Sequence, residues 1–181
     1  MRRLVVLLSV TGSLVAAPLA AQDTTPTPKP PDSTHHDSVP PPTADQLKWM
    51  EGLRTAARGI GQLKSGIETV QRAGTSTTQL KRAGKLLAGF CGTGRGFMHT
   101  GVARMSSTAY PPGDNRKIAK QVVIQIDSVA KETTNCEQTA AKDPKTSVQH
   151  LTPLLVSYEA SIAAWRAMVG LPAIPTRNTK P

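Results

Sequence analysis

Apolar residues recur every three to four positions through residues 44–170, and the pattern divides into four stretches, each opening on a helix-capping signal. The first follows Thr43-Ala44-Asp45-Gln46, a capping box in which hydroxyl and amide side chains satisfy each other's free backbone donors. Its stripe runs Leu47, Met50, Leu53, Ala57, Ile60, Leu63, Ile67, Val70. The second follows another box, Ser76-Thr77-Thr78-Gln79, and carries Leu80, Ala83, Leu87, Cys91, Gly94, Met98, Gly101 and Met105. It ends before Tyr110-Pro111-Pro112-Gly113, because proline cannot continue a helix.

The third stretch starts at Asp114, a good N-cap, and puts Ile118, Val122, Ile126, Val129, Thr133, Cys136 and Ala140 on one face before stopping near Asp143-Pro144. The fourth follows a third box, Thr146-Ser147-Val148-Gln149, with Val148, Leu151, Leu155, Tyr158, Ile162, Trp165 and Val169 on its stripe; Gly170 and Pro172 close it. Pro153 interrupts that pattern: either it kinks the helix, or Thr152 is the true N-cap and Pro153 the first helical residue. Four long amphipathic stretches joined by short turns predict an all-α, up-down four-helix-bundle-like domain.

The two cysteines sharpen that topology. In an antiparallel helical hairpin, facing residues have position numbers with a constant total. Cys91 and Cys136 total 227, and the midpoint, 113.5, falls in the turn already placed by the prolines. Both lie on apolar stripes, so the second and third helices are expected to pack antiparallel with an inter-helix disulfide, a crosslink that stabilises a loop of this length by about 4 kcal/mol in the chain-entropy model. Ten glycines fall inside the first two helices, each costing about 1 kcal/mol relative to alanine. Gly52, Gly59 and Gly66 are spaced by seven with Ala73 next, which is either a seam for close helix approach or a mark of a poorly formed helix.

Outside the periodic region the composition changes. Arg2 and Arg3 precede an apolar run from Leu4 into small residues ending Ala20-Ala21, the form of a cleavable secretion signal over residues 1–21. Residues 22–43 are rich in proline and threonine with few large apolar groups, which predicts a disordered tether. Residues 171–181 form a short polar tail. Export to the periplasm or exterior would place the cysteine pair in an oxidising compartment and remove ATP and nicotinamide chemistry from consideration. No run of membrane length follows the signal.

Charge supplies the remaining direction. The 181-residue chain has a formal net charge of +10, and loss of the signal's two arginines leaves +8. Residues 69–113 contain Arg72, Lys81, Arg82, Lys85, Arg95 and Arg104 and no acid. On a helical wheel Lys81, Lys85, Gly92, Arg95, Gly96 and His99 cluster opposite the second helix's apolar stripe. Lys81, Lys85 and Arg95 are therefore the candidate anion-binding residues, for an anionic envelope lipid or glycan or an acidic protein partner. Stacking aromatics are missing from that face, which argues against specific nucleic-acid readout.

The other constellations carry less. The stretch Gly89-Phe90-Cys91-Gly92-Thr93-Gly94-Arg95-Gly96 lacks the preceding strand and the lysine and hydroxyl of a phosphate loop. His35 and His36 beside Asp32 and Asp37 sit in the tether, so no metal ligands are assigned. Met50, Met98, Met105, Met168, His99 and His150 raise the alternative of a haem- or metal-binding four-helix bundle, although methionines on a stripe are more often core filler and no cofactor is assigned. No histidine, cysteine or paired carboxylate sits in a catalytic setting, so the chain reads as a non-enzymatic binding or structural module with no catalytic residues.

Overall fold

The computed structural model describes residues 41–172. The expected signal over residues 1–21, the tether up to residue 40 and the tail from residue 173 lie outside the described residues. Four helices follow in order: α1 Ala44–Ala73, α2 Thr77–Val102, α3 Asp114–Thr139 and α4 Pro144–Met168. There is no strand among the described residues.

The caps follow local chemistry, with corrections. At α1 the full box forms: Gln46 N–H donates to Thr43 Oγ1 at 3.3 Å, and Thr43 N–H donates to Gln46 Oε1 at 2.9 Å. At α2 only half of it does, Gln79 N–H reaching Ser76 Oγ at 3.5 Å. The N-cap of α3 is Gly113, not Asp114. The chain leaves Pro111-Pro112 through a positive φ of 112° that only glycine tolerates without strain, and Asp114 becomes the first helical residue. There its carboxylate complements the helix dipole and pairs with Lys117 at 3.0 Å.

The box expected at Thr146 is likewise not the start of α4. Asp143 caps the helix by accepting from Thr146 N–H at 3.1 Å, and Pro144 takes the first helical position, where its missing donor costs nothing. Hydrogen bonding from Thr146, first through its side chain and then through its backbone N–H, holds the Asp143 carboxyl below its ordinary range. The helix then runs through Pro153. Proline removes the bond to the carbonyl four residues back, at Gln149, and both residues are exposed, where solvent can satisfy a free carbonyl.

Helix pairing can be read from contacts. A Cβ placed on Gly52 would lie 2.6 Å from the Gly101 carbonyl oxygen, and one on Gly101 2.5 Å from that of Gly52; Gly59 meets Gly94 in the same way, and Gly66 meets Leu87. Each of these pairs totals 153 in position number, with its midpoint at the Ser76-Thr77 turn. The seam reading of the glycines is therefore the right one: α1 and α2 are antiparallel, meeting backbone to backbone at Gly52–Gly101 and Gly59–Gly94 and, seven residues on, seating the Leu87 side chain against Gly66.

Between α2 and α3, Cys91 and Cys136 form the disulfide, with Cα atoms 6.0 Å apart, and Gly84 abuts the Ala140 carbonyl. Between α3 and α4, Thr139 and Ser147 hydroxyls lie 3.0 Å apart, and His150 Nδ1 sits 3.4 Å from Glu132. The α1 to α4 contact is less extensive than that of α1 with α2, and includes the Lys64–Glu159 ion pair and the Trp49–Trp165 ring contact. In every one of these pairs one number falls as the other rises, so the partners run antiparallel.

One end of the core is aromatic. Trp49 stacks edge-on against Tyr110 at 5.4 Å and tilted against Trp165 at 5.2 Å, and Trp165 Nε1–H donates to Tyr110 Oη at 3.0 Å. Buried Met105, Ala109 and Tyr110 anchor the α2–α3 connection on this cluster. The α1 stripe is displaced from its expected position at two places: Leu47 (53% exposed) and Ala57 face solvent, while Trp49 and Ala56 are buried. The close glycine approach pulls the buried face of α1 toward α2, and among the described residues no helix covers the first turn on the Leu47 side. Among the described residues no helix is long and apolar enough to cross a membrane.

Candidate functional site

The buried side of α2 is committed on two flanks, to α1 through Gly94 and Gly101 and to α3 through Cys91 and Gly84. Its remaining face is solvent-exposed and holds Lys81, Lys85 and His99. Lys81 and Lys85, one turn apart, stand on the expected outer face, and Arg82 is exposed beside them. Among the described residues none of these three forms an ion pair.

Arg95 behaves differently. It leans toward α3, where its guanidinium contacts Glu137 at 2.7 Å and donates to Thr134 Oγ1 at 3.2 Å. The Glu137 carboxylate lies over Gly92, where a Cβ would meet Oε1 at 2.8 Å. Arg95 is thus a clamp between α2 and α3, and the cationic face shrinks to the first turns of α2.

That location has electrostatic consequences. The first turn of α2 contains no acid, and three cations follow within its first two and a half turns. A helix N-terminus already carries positive partial charge, and helix stability favours acids there. Lys81, Arg82 and Lys85 therefore raise the local potential rather than offset it. Arg72 in the last turn of α1 adds to it across the Ala73–Thr77 turn. Arg104, at the far end of α2, is paired with Glu51 at 3.1 Å and contributes little net charge.

Beside this patch the ends of α1 and α2 diverge into an open groove of about 400 Å³ lined by Thr69, Arg72, Ala73, Gln79, Arg82, Ala83 and Leu86. Leu86 is 44% exposed within it. A second, smaller hollow of about 170 Å³ lies near the aromatic end, between Trp49, Met105, Ala119, Val123 and Ile124. The groove was missed in the sequence because it depends on the α1–α2 register; the shared seven-residue spacing of Gly52, Gly59 and Gly66 with Leu80, Leu87, Gly94 and Gly101 held that register.

No family model matches the chain, and no curated protein and no solved structure matches it. Function has to be argued from the side chains. The glycine-rich residues 89–96 continue α2 as regular helix, so their backbone N–H groups serve the helix ladder and do not cradle a ligand. Met98 is fully buried in the core, whereas His99 and His150 are exposed, His150 beside Glu132, and no histidine is among the buried residues. A core haem held by one methionine and one histidine would need a histidine facing inward. Among the described residues no three histidine, cysteine or acidic side chains come together as a metal site.

Proposed function

We propose that this chain is an exported, non-enzymatic helical module that binds an anionic component of the cell envelope through the cationic end of the α1–α2 hairpin. The observation that carries the reading is the crowding of Lys81, Arg82 and Lys85, unpaired among the described residues, in the opening turns of a helix whose first turn has no compensating acid. Export is supported by the signal-like residues 1–21 and by the Cys91–Cys136 bridge, which persists in an oxidising compartment.

The test is co-sedimentation of the purified protein with phosphatidylglycerol or phosphatidylcholine vesicles at low and high salt. Binding should require the anionic lipid and weaken as the screening length shortens from about 10 Å at 0.1 M to about 3 Å at 1 M. Lys81 and Lys85 changed together to Glu should reduce it at least about tenfold, each charge near such a surface contributing roughly 1 kcal/mol. Arg95 is left intact in this variant because its loss would unpair Glu137. Undiminished binding by the double variant would remove the reading. Intact mass of the protein recovered from the periplasm checks the export half: cleavage near Ala21 with two hydrogens lost to the bridge is the expected result.

A further inference from the structure

The groove at the closed end of the α1–α2 hairpin combines features that a purely electrostatic surface lacks. Arg72 enters it from α1 and Arg82 from α2, and among the described residues neither guanidinium meets a carboxylate. Arg72 Nε is satisfied by the Glu68 carbonyl at 3.3 Å, which fixes the side chain along its own helix end. Between the two arginines the lining is apolar, formed by Ala73, Ala83 and the exposed Leu86, while the Gln79 amide supplies a neutral donor at the edge and the Thr69 hydroxyl is spent on the Ser65 carbonyl at 2.7 Å. Its volume of about 400 Å³ falls in the range of small-molecule sites.

We propose that this groove binds one anionic amphiphile, its phosphate between Arg72 and Arg82 and its first methylenes along Ala73, Ala83 and Leu86. The inference rests on the reading that the chain binds an anionic envelope component, and it names that component's class as a phosphate-bearing lipid. Two features decide the class. Guanidinium groups pair with phosphate oxygens in a forked geometry, and the Gln79 amide adds a donor for an oxygen that remains. The apolar floor lies beside the charge, where a glycan or a nucleic acid has no hydrocarbon to place and a lipid has its chain. Long-range attraction by Lys81 and Lys85 then concentrates the protein at a membrane surface, and the groove holds a single molecule there.

The experiment titrates the full chain, by calorimetry below micelle concentrations, with dodecyl phosphate, inorganic phosphate and the uncharged dodecyl maltoside. Saturable one-to-one binding of dodecyl phosphate is expected, at least about tenfold tighter than either of the others. Arg72 and Arg82 changed together to Gln should weaken it about tenfold or more, and Leu86→Ser should weaken dodecyl phosphate while leaving inorganic phosphate unchanged. All three residues are exposed, and an unchanged melting temperature verifies the fold. Equal binding of inorganic phosphate, equal binding of dodecyl maltoside, or no saturable binding would each overturn the proposal. The two ideas separate cleanly. Loss of vesicle binding in K81E/K85E with no dodecyl phosphate site sinks only the groove, whereas dodecyl phosphate binding without any affinity for anionic vesicles sinks the broader reading.

Discussion

Two glycines two residues apart in α1 should respond to the same substitution with opposite signs. Gly61 is exposed, and a Cβ there meets nothing within 4 Å; at Gly59 the new Cβ would lie inside the 3.0 Å limit of real contacts from the Gly94 carbonyl oxygen and 3.1 Å from Phe97 Cβ. Gly61→Ala restores helix propensity and should stabilise by about 1 kcal/mol. Gly59→Ala gains the same propensity and the same reduction in unfolded-chain freedom, so those effects cancel in the comparison.

What differs is the clash, and a carbonyl held in a helix ladder cannot swing aside as a side chain can. The helices must part by roughly 1 Å locally, which forfeits a quarter to a half of the dispersion energy of the contacts involved. Overpacking of this kind costs about 1–3 kcal/mol, and the upper end applies at a backbone contact in the middle of a seam. The two variants should therefore differ by about 3 kcal/mol, or roughly 10–15 °C in Tm for a domain of this size. Thermal and urea unfolding followed by circular dichroism on the oxidised protein reads this directly. If Gly59→Ala melts at or above the unsubstituted protein, the backbone seam between α1 and α2 is wrong.

The other expectations concern the crosslink and the buried phenols. Cys91 and Cys136 are 45 residues apart, so replacing both by Ser should cost about 4 kcal/mol, read as a drop of more than about 10 °C in Tm; an unchanged Tm would contradict the bridge. Burial, with a smaller contribution from the neighbouring Glu159 charge, pushes the Tyr158 hydroxyl up to about 12 from the usual 10, and burial also raises Tyr110. The unfolded chain then loses its phenolic proton first as pH rises, so the phenols' contribution to stability should be constant below pH 10 and fall by roughly 2–3 kcal/mol between pH 10 and 12. Tyr158→Phe should flatten most of that decline in urea titrations, and an unaltered decline would place its origin elsewhere.

The helices, and the pairing of α2 with α3, were legible because periodicity and two cysteines each encode them locally. The α1 face was read less well: Leu47 and Ala57 fit a spacing of three and four, yet the neighbour that decides burial is α2, whose glycines draw α1 toward Trp49, Ala56 and Gly59. At α4 three capping signals overlap within residues 143–149, and proline at the first position favours Asp143 over Thr146. Lys81 and Lys85 were visible as exposed cations because exposure follows from the wheel. The pairing of Arg95 depends on what α3 sets against it. The cysteine total of 227 sets residue 132 opposite 95, with Glu137 little more than a turn further along α3, so the cue lies in the sequence. The Arg72–Arg82 groove needed the α1–α2 register, which emerges only when the glycine spacings of both helices are laid side by side.

The constant totals also bear on how the molecule forms. Each helix packs chiefly on its neighbour in sequence, a low-contact-order arrangement in the class that folds in microseconds to milliseconds. A chain emerging N-terminus first can zip α1 onto α2 while α3 is still arriving. Cys91 would by then sit fixed on the one flank of α2 that α1 leaves open. With only two cysteines in the sequence, Cys136 has a single destination, and the oxidant has no wrong isomer to make.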